Sequence, residues 1–171
     1  ANGPLPGIVA LHDHGAFKFY GKEKIADGPN DPPPIIVELR KKSYGGRAFA
    51  NALARAGFVV VVPVIFLWGS RKFPLDTMPE PVQEVTAAVL KAMPPDASIP
   101  FEIAQYNTAA YHHEHWVSKY CNLLGTSLAG VVCHEDRIAV NYLLSRADVL
   151  SNRIGCLGLS GGGNRAALLT A

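Results

Sequence analysis

No apolar run in this chain of 171 residues approaches the ~20 residues that a bilayer-spanning helix requires, so no membrane partner is expected. Neither sign of charge dominates: 16 Lys and Arg face 14 Asp and Glu, giving a net charge of +2. The basic residues are scattered rather than clustered, which argues against nucleic acid as a partner. There are three cysteines, Cys121, Cys133 and Cys156, with neither disulfide-framework nor zinc spacing. They are expected to be plain thiols. Repeats and low-complexity tracts are missing too, and the length suits one domain covering 1–171. The opening ANGPLPG has no initiator Met, no basic start and no apolar signal core, so the N-terminus is expected to be processed or truncated. Composition is otherwise that of an ordinary soluble globular domain.

Three short apolar runs stand out. GIVALH (7–12), FVVVVPV (58–64) and RIGCLGL (153–159) are continuous rather than alternating, as expected of parallel strands covered on both faces. IIVEL (35–39) is expected to add a short strand. Helical patterns lie between the runs. In RAFANALARAG (47–57), Phe49, Ala52, Leu53 and Ala56 share a face, and Gly57 is placed to end the helix. Across 127–147, Leu128, Val131, Val132, Ile138, Ala139, Tyr142 and Leu143 form a stripe at helical spacing, with Glu135 near its edge. The proline-rich stretch 65–104 reads as an irregular excursion. The fold class is α/β, with a mainly parallel sheet covered by helices.

The third run leads straight into LSGGGNRAA, a serine among glycines followed by helix formers. Two templates overlap there. Gly161–Ala166 fits the G-x-G-x-x-G/A dinucleotide fingerprint, whose confirming acidic residue should come ~20 positions later, beyond position 171. Gly158-Leu159-Ser160-Gly161-Gly162 is a complete G-x-S-x-G nucleophile elbow. Such an elbow needs an oxyanion hole, built from the N–H after the serine and an N–H in the loop after an earlier strand. The first strand ends in ALHDHGAF (10–17), which can supply that second amide near His14 or Gly15.

LHDHG, RAFANALARAGFVVVVP, the long helix and NRIGCLGLSGGG, in that order, resemble the α/β-hydrolase superfamily, most of all its dienelactone hydrolase and acetyl xylan esterase branch. The resemblance implies a serine hydrolase acting on carboxylic esters, of acetyl ester or lactone type, through an acyl-enzyme. It implies Ser160 as nucleophile and the backbone amides of His14 and Gly161 as the oxyanion hole. It implies no cofactor and no metal, and a small-molecule ester as the partner. Where the family often carries an acidic residue after the second strand, this chain has Val64.

In this fold the triad runs Ser, then Asp or Glu, then His. No Asp, Glu or His follows Ser160, and all six histidines precede it. The acid and the base are therefore expected downstream of this chain, in the remainder of its own hydrolase domain, with residues 1–171 nearly inactive alone. Three other classes stay open: a nucleotide-binding oxidoreductase domain, a serine peptidase of the same fold, and a non-catalytic relative. In YHHEHW (111–116), His112 and His115 are i, i+3 on a helix, but Glu114 is followed directly by His115, so H-E-x-x-H is absent. That cluster is a polar helix face beside the pocket, a pair of metal ligands or the source of a replacement base. Phe66, Trp68 and Phe73 either line the substrate pocket or are simply buried. Arg40-Lys41-Lys42 reads as a solvated turn, and Asp136-Arg137 as lying on the exposed side of its helix.

Overall fold

The computed structural model describes residues 3–171. Strands β1 (Leu5–Leu11), β2 (Val59–Val61) and β3 (Val149–Gly158) form one parallel sheet in the order β2-β1-β3. The register pairs Val9 with Val61 on one side and with Cys156 on the other. The central strand explains the unbroken apolar run, because neither face is wet. Val9 and Leu11 pack on one face with Ala139, Leu143 and Val149, while Ala10 packs on the other with Ile25 and Ala50.

Six helices complete the described fold: α1 (Pro34–Ser43), α2 (Phe49–Arg55), α3 (Glu80–Ala92), α4 (Phe101–Leu123), α5 (Leu128–Leu144) and α6 (Gly161–Thr170). Gly57 adopts φ +96° just past the end of α2, the left-handed stop expected of it. Ser127 caps α5 by accepting a hydrogen bond from the Gly130 N–H. Helices α3 and α4 share a separate cluster of Met78, Val82, Tyr106, Ala109 and Ala110.

Several expectations are corrected. Ile35–Leu39 is not a strand but part of α1, entered through Pro33 and Pro34 with proline at the first helical turn. Residues 65–104 are not irregular throughout, because α3 and the first turn of α4 lie within them. Pro79, Pro81 and Pro100 sit at helix starts, where a missing N–H costs nothing. Arg40 does not stand in a solvated turn. It is buried in the last turn of α1 and donates to the carbonyls of Glu23, Lys24 and Ala26 and to Asp27, while Lys41 and Lys42 are exposed. On α5 the buried face is Val132, Asp136, Ala139 and Leu143, whereas Ile138 and Tyr142 are half exposed. Asp136 is thus fully buried rather than exposed, and only Arg137 faces solvent.

Candidate functional site

Ser160 lies between the end of β3 and the first residue of α6, at φ 54° and ψ −120°. A serine held at that combination is strained, and the packing around it fixes the conformation. A Cβ on Gly158 would collide with the Gly162 backbone, and one on Gly162 with the carbonyl oxygen of Leu11. Strand, turn and helix therefore approach too closely for any side chain at either position. Ser160 is exposed, and its hydroxyl is not used to cap α6.

The turn after β1 meets this elbow directly. A Cβ built on Gly161 would lie 2.9 Å from the backbone nitrogen of His14. Among the described residues, neither the His14 N–H nor the Gly161 N–H has a hydrogen-bond partner. Two unpaired amides thus sit side by side next to Ser160, at the N-terminal end of a helix, where negative charge is favoured.

Buried cations hold the turn by its carbonyls. Lys24, fully buried, donates to the carbonyls of Asp13 and His14 at 3.1 Å each and lies 3.4 Å from the Asp13 carboxylate. Burial pulls the Lys24 ammonium down to about 8, opposed by Asp13. Tyr44 donates to Asp13 Oδ1 and accepts from the Asp13 N–H. Arg165 of α6 donates to the His12 carbonyl at 3.3 Å and pairs with Asp136 through both carboxylate oxygens. Gly15 and Ala16 take left-handed φ of +57° and +50° to complete the turn. With the carbonyls engaged, the His14 amide is left facing Gly161.

A cavity of about 290 Å³ opens beside these groups, lined mainly by Ile65, Trp68, Leu128, Val132 and Leu168, with His14, Glu114 and Asn164 among its polar members. Of the predicted aromatic set, only Trp68 lines it. Phe66 and Phe73 pack edge-to-face at 5.7 Å, and Phe73 also meets His113. His112 and His115 both lie against the ring of Tyr111 at 5.3 Å, away from the cavity. Among the described residues no group of three or more His, Cys, Asp or Glu could hold a metal ion.

The part of YHHEHW that reaches the site is Glu114, which the motif search passes over. It accepts from His14 Nε2 at 3.1 Å and from Lys18. Burial works to raise the Glu114 carboxyl, but the hydrogen bonds from His14 and Lys18 outweigh it and hold it down at about 2. His12 donates from Nδ1 to the Asp13 carbonyl, and burial drives its imidazole down to about 4, leaving a neutral ring with Nε2 unpartnered. Sequence reasoning also missed Lys18, Lys24 and Arg165. Only Lys18 carried a signal, a charge set between two aromatics in Phe17-Lys18-Phe19; Lys24 follows Glu23 and Arg165 follows Asn164, so neither stands out locally.

No protein-family model matches the chain, and no curated protein matches it. Among solved structures, the chain is similar to a crystal structure of a "putative acetyl xylan esterase" from Bacteroides fragilis NCTC 9343, with TM-score 0.60 and 18% identity. The match covers 98% of this chain and 34% of that one, so the chain spans about a third of its structural relative. Parallel sheet, covering helices and serine turn together have the α/β-hydrolase type of fold.

Proposed function

We propose that this chain carries the nucleophile and oxyanion hole of a serine hydrolase that cleaves carboxylic esters. The observation that carries the reading is the junction of Ser160, strained and exposed at its turn, with the unpaired amides of His14 and Gly161. Ser160 Oγ attacks the ester carbonyl and loses its proton to a histidine base, while the carbonyl oxygen takes the negative charge between the two amides. Collapse expels the alcohol, which receives that proton, and water then cleaves the acyl-enzyme by the same route. The close approach of His14 to Gly161 favours this over a dinucleotide site, which asks nothing of the turn after β1.

The cavity beside His14 and Gly161 supports a small ester as the substrate class. Its apolar lining and modest volume suit a short acyl group, in keeping with an acetyl ester or lactone and with the acetyl xylan esterase name of the structural relative. The reading needs a histidine base and a carboxylate that orients it. None of the six histidines suits the task. His12 lines the cavity, but burial holds its imidazole down at about 4, too weak a base near neutral pH; His113 is buried, both nitrogens of His14 are occupied, His112 and His115 meet Tyr111 edge-on, and His134 is outside the cavity lining.

The test is made in the full gene product. A fluorophosphonate probe is expected to label Ser160, and Ser160→Ala to abolish both labelling and aryl-acetate hydrolysis, with a loss on the order of 10⁶ in kcat. Undiminished turnover by Ser160→Ala would overturn the reading. Activity lost on EDTA treatment would point instead to a metal-dependent hydrolase, and no turnover in the wild type to a non-catalytic relative.

A further inference from the structure

We infer that Glu114, with Lys18, is a positioning element for the oxyanion hole, anchoring the imidazole of His14 so that the His14 amide stays against Gly161. The inference rests on the serine hydrolase reading.

His14 contributes through its backbone, yet its side chain is held at both nitrogens. Nδ1 accepts from the Ala16 N–H at 3.0 Å, which requires a bare nitrogen there. The proton therefore sits on Nε2 and is donated to Glu114 at 3.1 Å. The ring also meets Trp68 edge-on at 5.1 Å. This imidazole has no lone pair left for base chemistry, so its work is to fix the peptide that carries the amide.

The anchor is built from a distant helix. Asn107, Ala110 and Glu114 recur at i, i+3 and i+7, along one face of α4. Asn107 Oδ1 accepts from the backbone N–H groups of Lys18 and Phe19, at 2.7 and 2.9 Å. The Lys18 ammonium, 1% exposed, donates to the Ala110 carbonyl and to Glu114, and lies 4.7 Å from the centre of the Trp68 ring. Helix α4 thus fastens the segment from His14 to Phe19 by backbone and by side chain. Lys18 has a distinct task here. It compensates Glu114, so the carboxylate can stand beside the cavity as an ion pair rather than as an isolated charge that would repel a developing oxyanion.

Two double variants in the full gene product separate positioning from charge or packing. Lys18→Met with Glu114→Leu removes both charges and the acceptor for His14. Lys18→Met with Glu114→Gln removes both charges but keeps an amide oxygen for the Nε2–H. The first is expected to lower kcat on an aryl acetate by about 10- to 100-fold, less than the cost of deleting an oxyanion donor, with KM little changed. Affinity for a trifluoromethyl ketone, which forms an oxyanion on the serine, should fall in parallel. The glutamine pair should recover most of both. Equal kcat in the two double variants would overturn the inference while leaving the serine hydrolase reading intact. Undiminished activity in Ser160→Ala would overturn both. A measurement independent of variant folding is the ring tautomer: ¹⁵N NMR of the wild type should show His14 protonated at Nε2 and bare at Nδ1, and a proton on Nδ1 would contradict the anchor.

Discussion

At the scale of single residues, four glycines in one turn have unequal roles, and their surroundings separate them. Gly162 has the Leu11 carbonyl where a side chain would go, so Gly162→Ala must push strand from helix. A destabilisation of about 3 kcal/mol is expected, read as a lowered urea midpoint. Gly163, by contrast, meets nothing closer than 3.4 Å. Gly163→Ala should be neutral or gain up to ~1 kcal/mol from helix propensity. Equal losses at both would show that the strand–helix contact is not what demands glycine. Gly161→Ala separates function from stability, since its methyl would press on the His14 amide. Its expected signature is a fall in kcat larger than its loss of stability warrants.

At the scale of elements, helix α5 shows what periodicity conveys and what it hides. The pattern located the helix, but it gave Ile138 and Tyr142 the same standing as Leu143. Packing distinguishes them: Leu143 is fully buried against β1, while Ile138 is 54% exposed. Leu143→Ala is expected to cost about 2–5 kcal/mol and Ile138→Ala under ~0.5 kcal/mol, measured by urea denaturation. Comparable costs would mean the buried face is wrongly assigned. Asp136 was illegible because a carboxylate on a helix reads as solvent-facing until its buried partner is known. That partner, Arg165, is 29 residues away on α6, and local pattern cannot join them. The prolines misled for a related reason. They mark helix starts at Pro34 and Pro100 as readily as loops, and β-branched Ile35-Ile36-Val37 tipped the first of these towards a strand.

At the scale of the whole molecule, the three parallel strands and the serine turn that joins the last of them to a helix were legible, because each is a contiguous run. The support for the oxyanion turn was not. It draws Lys18 and Lys24 from the connection after β1, Tyr44 from the end of α1, Glu114 from α4 and Arg165 from α6, and local pattern does not join them. That support makes the domain acid-sensitive. His12 titrates near its usual value of 6.5 when unfolded and at about 4 when folded. Between those values the unfolded chain binds more protons, so stability is fully present above pH 6.5 and falls as pH drops towards 4. Glu114 adds a loss of the same sign as pH falls below 4.5 towards about 2. For the fully buried His12 the expected decline is ~3 kcal/mol. A urea midpoint unchanged between pH 7 and pH 4.5 would contradict it.

Ser160, the His14 amide and the Gly161 amide acting on one oxygen can be tested most directly by a crystal structure of the full gene product after phosphonate labelling. The phosphorus is expected on Ser160 Oγ, with one phosphoryl oxygen ~2.7–3.1 Å from both the His14 and Gly161 nitrogens. An adduct on another residue, or a phosphoryl oxygen turned away from those two amides, would contradict the assignment.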